Sequence, residues 1–71
     1  MFIREKELKL LRETYKEGDK VELVHMDDMQ APPPGTKGTV RCVDDTGTIH
    51  VNWETGSSLG VLYGADSCRK I

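Results

Sequence analysis

The chain has 71 residues, 37% of them hydrophobic and 31% charged, with ten lysines and arginines against twelve aspartates and glutamates and a formal charge of -2. Such a length gives room for one domain with a small core, since a chain near this size buries only roughly 60% of the surface it exposes when unfolded. The mixture is too apolar and varied for a disordered tail and too polar for a membrane span, so a soluble domain without membrane association is expected. Met1–Lys6 lacks the apolar core of a signal peptide, which makes a cytoplasmic location the expectation.

Residues 1–17 read as an N-terminal helix. From Ile3 to Tyr15 there is no glycine or proline, helix formers dominate, and Leu8, Leu11 and Tyr15 recur at spacings of three and four. Glu5 and Lys9 stand in the favourable (i, i+4) relation, and Gly18 ends the pattern. About thirteen residues make a marginal helix in isolation, so the leucine stripe needs a surface to pack on. Its own domain is the expected surface, and a homodimer through the helix is the alternative.

After Gly18-Asp19 the period changes to two, and residues 18–71 read as a second unit built of short half-buried strands. Val21 and Leu23 alternate with Lys20 and Glu22, Val40 and Cys42 with Thr39 and Arg41, and Ile49, Val51 and Trp53 with Thr48, His50 and Asn52. A long connection, Met26–Gly35, holds the run Pro32-Pro33-Pro34. Each proline fixes φ and removes a donor, so the run is expected to stiffen the loop rather than to serve as a PxxP ligand. Asp45-Thr46-Gly47 and Glu54-Thr55-Gly56 are short glycine-ended turns suited to hairpins. Leu59–Leu62 predicts another apolar strand, Tyr63-Gly64-Ala65-Asp66 a tight turn, and Cys68–Ile71 a closing strand. This order predicts a mainly β fold, a small five-stranded SH3-like barrel preceded by the helix.

Gly18-Asp19-Lys20-Val21-Glu22-Leu23, Ala31-Pro32-Pro33-Pro34-Gly35-Thr36-Lys37-Gly38-Thr39-Val40, Asp44-Asp45-Thr46-Gly47-Thr48-Ile49-His50-Val51-Asn52-Trp53 and Gly56-Ser57-Ser58-Leu59-Gly60 occur in that order. Together they resemble a family of small uncharacterised bacterial domains, common in phages and other mobile elements, that carries a domain-of-unknown-function label. The resemblance covers about residues 18–71. It implies an SH3-like barrel and a mobile-element context, and no activity, cofactor or catalytic residue. A weaker similarity, through Gly18-Asp19-Lys20-Val21 and Gly35-Thr36-Lys37-Gly38-Thr39-Val40, runs to the KOW modules of ribosomal and transcription factors, which bind RNA or protein.

No constellation points to catalysis. Gly35-Thr36-Lys37-Gly38-Thr39 lacks the spacing of a phosphate-binding loop, Ser57-Ser58 lacks a nucleophile elbow, and paired carboxylates occur only as neighbours. Cys42 is expected in the core with Cys68 reduced nearby, and a disulfide or a metal shared with His25 and His50 is the lesser alternative. No cofactor or metal is expected. His25 is expected half-buried at its strand's end, Trp53 in the core, and Thr48, His50 and Asn52 on one polar strip. The expected function is a non-catalytic module that contacts a protein partner through Asp27, Asp28, Pro33, Thr48, His50, Asn52 and Tyr63. The alternative is a KOW-like nucleic-acid-associated module that uses Lys37, Arg41, Arg69 and Lys70, helped by Arg4, Lys6, Lys9, Arg12 and Lys16. Residues 18–71 carry five basic and eight acidic side chains, which weighs against phosphate neutralisation.

Overall fold

The computed structural model describes residues 3–71. One helix, α1 (Glu5–Thr14), precedes β1 (Lys20–His25), β2 (Lys37–Val43), β3 (Ile49–Trp53) and β4 (Ser67–Lys70). The strands form a single antiparallel sheet in the order β3-β2-β1-β4.

α1 is shorter than the helix expected over residues 1–17, of which residues 1–2 lie outside the described residues, and shorter than the Ile3–Tyr15 pattern within it. Glu5 and Glu7 in its first turn and Arg12 in its last complement the helix dipole. Tyr15 leaves helical geometry while its N–H still bonds the Leu11 carbonyl at 2.9 Å, and Gly18 follows with φ 92°. No helix residue is fully buried. Leu11 and Tyr15 nevertheless pack against the core formed by Val21, Leu23, Val40, Ile49, Val51, Trp53 and Val61. Arg12 Nε reaches the Val43 carbonyl at 3.4 Å and the Tyr15 hydroxyl donates to the Cys68 carbonyl at 3.3 Å, so the helix spans from the end of β2 to the free edge of β4. It therefore packs on its own sheet. A radius of gyration of 11.1 Å, about that of a compact chain of this length, agrees with a helix folded back rather than projecting.

The expected five-stranded SH3-like barrel is corrected to an open four-stranded sheet. The apolar stretch Leu59–Leu62 makes only one bridge, Val61 opposite Ile49, with hydrogen bonds of 3.0 and 2.8 Å. The reason lies in side chains that take the ladder's groups. The Trp53 indole N–H donates to the Leu59 carbonyl at 2.9 Å, and the Leu62 N–H donates to Asp66 Oδ2 at 3.0 Å. At Gly60 a Cβ would collide with the Thr48 methyl group. A strand cannot continue through that stretch.

A second correction comes from a bulge. Val40 faces Val51 and Cys42 faces His50, so Arg41 is an extra residue in β2. Beyond it the phase of the strand shifts: Cys42, expected in the core, is exposed, and Val43 turns to the core side instead. Cys68 lies on β4, separated from β2 by β1, and is partly packed against the core. The two thiols thus lie on opposite faces and are not neighbours. His25, expected half-buried, is exposed at the end of β1.

The proline loop is a frame. Pro32 is buried, while Pro33 and Pro34 are exposed. The Thr36 N–H donates to the Pro33 carbonyl at 3.1 Å with Gly35 at φ 92°, which is a type II turn carrying proline and glycine at its two central positions. Gly35 and Thr36 then bond Leu23 through backbone contacts of 2.7 and 2.8 Å, starting the β1–β2 pairing.

Candidate functional site

Cross-strand register assigns the face of the sheet turned away from the core. Glu22 stands opposite both Arg69 and Lys37, Lys20 opposite Thr39, Thr39 opposite Asn52, and Cys42 opposite His50. Directly opposed residues share a face. Two kinds of surface follow. Towards β4 the face is a charge ladder, with Arg69 and Glu22 in contact at 3.0 Å and Lys37 next across β1. Across β2 and β3 its centre, where Thr39, Cys42, His50 and Asn52 meet, carries no lysine, arginine or carboxylate, and Lys20, which donates to the Thr39 hydroxyl at 2.6 Å, and Arg41 stand at the margin.

His50 is held by the hairpin that precedes it. Asp44 Oδ1 accepts the Thr46 N–H at 2.9 Å, the Thr46 hydroxyl at 2.6 Å and the Thr48 N–H at 3.0 Å, and Asp44 Oδ2 lies 2.8 Å from His50 Nε2. The Thr46 hydroxyl first, then the His50 ring, with the Thr48 and Thr46 N–H groups adding to them, hold the Asp44 carboxyl well below the usual carboxylate range against the opposing effect of burial. An ionised carboxylate only accepts, so the Nε2 proton of His50 is the one donated, and the ring's orientation is fixed. Asp44-x-Thr46-x-Thr48 is a local pattern that the sequence displays; its reach to His50 depends on the hairpin closing.

The expected contact residues do not form one surface. His50 and Asn52 lie on the β2–β3 face. Thr48 does not: it is buried at 8% exposure, with its hydroxyl 3.2 Å from Thr46 Oγ1. Pro33 sits in the turn at the start of β2. Asp27 and Asp28 lie with Tyr63 at another end of the molecule, because the Asp27 N–H donates to Asp66 Oδ1 at 3.1 Å and Asp66 closes the Leu62–Asp66 turn. Tyr63 is 38% exposed and its hydroxyl bonds the Glu7 carboxylate.

The basic set is dispersed as well. Lys37, Arg41 and Arg69 are on the outer face, whereas Lys70 shares the face of Val21 and pairs with Asp19 at 3.2 Å. The Lys16 N–H and Lys70 hold the Asp19 carboxyl below its ordinary range. Arg12 pairs with Asp45 at 2.7 Å. Arg4, Lys6, Lys9 and Lys16 are exposed, interspersed with Glu5 and Glu13 along α1. The outer-face residues that the strand pattern did not single out are Lys20, Thr39 and Cys42; the bulge at Arg41, which has no marker in the sequence, hides the last of them. On the core side, burial pushes the Cys68 thiol up, partly offset by the Tyr15 hydroxyl, and burial and then Cys68 raise Tyr15. Among the described residues, no group of three or more histidine, cysteine, aspartate or glutamate side chains is arranged to hold a metal ion. No helix of the described residues is long and apolar enough to cross a membrane.

A four-stranded antiparallel sheet crossed by an N-terminal helix defines a small, mainly β domain. The chain belongs to the family described as Domain of unknown function (DUF4314), whose model matches residues 4–71 and so includes the helix with the sheet. No curated protein and no solved structure matches the chain.

Proposed function

We propose that the protein is a non-catalytic binding module that contacts another protein through the outer face of β2 and β3. The observation that carries this reading is the arrangement of that face: Thr39, Cys42, His50 and Asn52 form a hydrogen-bonding centre with no lysine, arginine or carboxylate among them, in which Asp44 holds His50 at 2.8 Å and the Lys20 ammonium holds Thr39 at 2.6 Å, with Arg41 at the margin. Charge is depleted at the centre of protein interfaces and placed at their rims, and a side chain already held in one orientation loses less entropy on binding. The non-catalytic reading is supported by Cys42, which stands opposite His50 in the register yet makes no hydrogen bond to it or to another base among the described residues.

Nucleic acid fits this face less well. The cations there alternate with Glu22, Arg69 is paired with it, and among the described residues the face carries no phenylalanine, tyrosine or tryptophan on which a base could stack. A cytoplasmic protein of a phage or other mobile element is the setting this reading assumes, and a partner encoded by a neighbouring gene is its natural candidate.

A photoreactive side chain placed at Asn52, compared with one at Glu13 on the exposed side of α1, tests the proposal in the host cell. Protein adducts that form from position 52, not from 13, and disappear in a Thr39→Arg variant are expected. Adducts with nucleic acid alone, or equal labelling from both positions, would refute it. In parallel, single- and double-stranded oligonucleotides should bind weakly even at low salt; tight binding that falls steeply with salt would transfer the assignment to nucleic acid.

A further inference from the structure

Away from the outer centre of β2 and β3, the Leu62–Asp66 turn holds two apolar side chains partly exposed on a frame tied by the Asp66 carboxylate and the Leu62 carbonyl. The Asp66 carboxylate accepts the N–H groups of Asp27 and Leu62 at 3.1 and 3.0 Å, and the Leu62 carbonyl accepts those of Ala65 and Asp66 at 3.2 and 2.9 Å. On this frame the turn presents the side chains of Leu62, 51% exposed, and Tyr63, 38% exposed.

A hollow lies on each side of Tyr63. One, of about 260 Å³, opens between the turn and the helix and is walled by Leu11, Tyr15, Ile49 and Val61. The other, of about 310 Å³, lies against the β2–β3 hairpin between Thr46, Thr48 and Ala65. Both stand at or below the lower end of the roughly 300–1,000 Å³ typical of small-molecule sites, and each is of a size for one side chain of a partner. Neither is lined by a lysine or arginine. The charged groups nearest them are negative: Asp66 lines the first hollow, the main chain of Asp27 is tied to Asp66 and brings that residue beside it, and Glu7 is held by the Tyr63 hydroxyl. Arg12, the cation that α1 sends towards the hairpin, is engaged by Asp45 and the Val43 carbonyl.

We propose that this turn, with the hollows beside Tyr63 and the acidic edge of Asp27, Asp66 and Glu7, is a docking site for a protein segment that presents one large apolar side chain next to lysine or arginine. The apolar side chain enters a hollow and the cations lie over the carboxylates. An acidic segment, a nucleic acid or an anionic lipid surface meets the wrong sign of charge here. The site shares the Asp44 hairpin with the β2–β3 face but uses neither His50 nor Asn52, so labelling from position 52 and a titration read at Leu62–Asp66 report on different surfaces.

The test is an amide-shift titration of the full chain with three synthetic pentapeptides: phenylalanine between two pairs of lysines, the same peptide with alanine at the centre, and the same with glutamates in place of lysines. The first should move the amides of Leu62–Asp66, Asp27 and Tyr15. Alanine at the centre should weaken binding by about tenfold or more, the loss of one buried aromatic side chain, and the glutamate peptide should not bind. Leu62→Asp should abolish the shifts. Asp27→Asn with Asp28→Asn, whose side chains are exposed, should leave the spectrum folded and weaken the lysine peptide severalfold at low salt. No shift at millimolar peptide, equal binding of the alanine and phenylalanine peptides, or shifts mapped elsewhere would overturn the proposal. If the same amides move on dilution with no peptide present, a second copy of the chain occupies the site and the proposal also fails.

Discussion

Gly38 occupies a tight place against the core. A Cβ there would lie 2.5 Å from Val51 Cγ1, 2.8 Å from Trp53 Cε3 and 2.9 Å from the Asn52 carbonyl, so the missing side chain is what lets β3 and its tryptophan close on β2. Its role is close approach rather than the bending that a glycine in a strand first suggests. Gly38→Ala should cost about 1–3 kcal/mol by overpacking, read as a lower denaturant midpoint with an unchanged slope; an unaltered midpoint would mean the sheet relaxes freely there. Asp44 gives the pH dependence. Its carboxyl titrates lower in the folded than in the unfolded chain, so the unfolded state binds the proton more readily. The stabilisation is present above the unfolded carboxylate value of about 3.9 and is lost as pH falls from there through the folded value. Thermal unfolding from pH 7 to pH 2 should show a shallower acid loss for Asp44→Asn than for the parent, and parallel curves would remove Asp44 from the account. Asp19, lowered by the Lys16 N–H and Lys70, adds a loss of the same sign in both proteins. At this scale Trp53 was legible, because plain alternation with Ile49 and Val51 places it inside; Cys42 was not, because one extra residue at Arg41 turns it out.

Among the elements, the proline loop separates into parts with different duties. Pro32 is buried and Pro33 is not, so the two substitutions should differ. Pro33→Ala should cost no more than the roughly 0.4–1 kcal/mol of unfolded-chain restriction, whereas Pro32→Ala adds lost packing and should cost more; equal effects would show that the buried ring contributes no contacts of its own. The helix is the other case. Its two core contacts, Leu11 and Tyr15, are only half-buried, and its remaining ties are polar and exposed. Amides of α1 should therefore exchange with solvent through local opening well before those of β1 and β2, and equal protection would mean that helix and sheet open only together. The helix's existence was readable from its leucine spacing, but the expected span of residues 1–17 was too long, since α1 runs only over Glu5–Thr14 and Tyr15 already leaves helical geometry. That its stripe meets its own sheet was not readable, since a leucine stripe suits any apolar surface. The fifth strand failed for a related reason. Leu59–Leu62 has strand composition, but the Trp53 indole and the Asp66 carboxylate, neither local to the pattern, take the groups a ladder would use.

Over the whole molecule, charge is arranged as local pairs rather than as a field. Arg12–Asp45, Arg69–Glu22 and Lys70–Asp19 each have an exposed cation, and exposed pairs of this kind contribute about 0–1 kcal/mol and are screened by salt. Raising salt from about 0.05 to 0.5 M, across which the Debye length shrinks severalfold, should shift stability by less than about 1 kcal/mol in chemical denaturation; a larger loss would show that these pairs act as one network. The same pairing explains why the basic residues suggested by the chain do not make one patch: Arg69 and Lys70 are neighbours in sequence and lie on opposite faces of β4. The sequence by itself determined the mainly β character, the helix before it, the hairpin turns and most of the core, because periodicity and turn chemistry are local properties of a few adjacent residues. Tertiary structure alone decided that the sheet stays open, that a bulge exchanges Cys42 for Val43, and that Asp27 meets Asp66 beside Tyr63. Those outcomes depend on which distant side chain reaches a backbone group first, and no spacing along the chain records that.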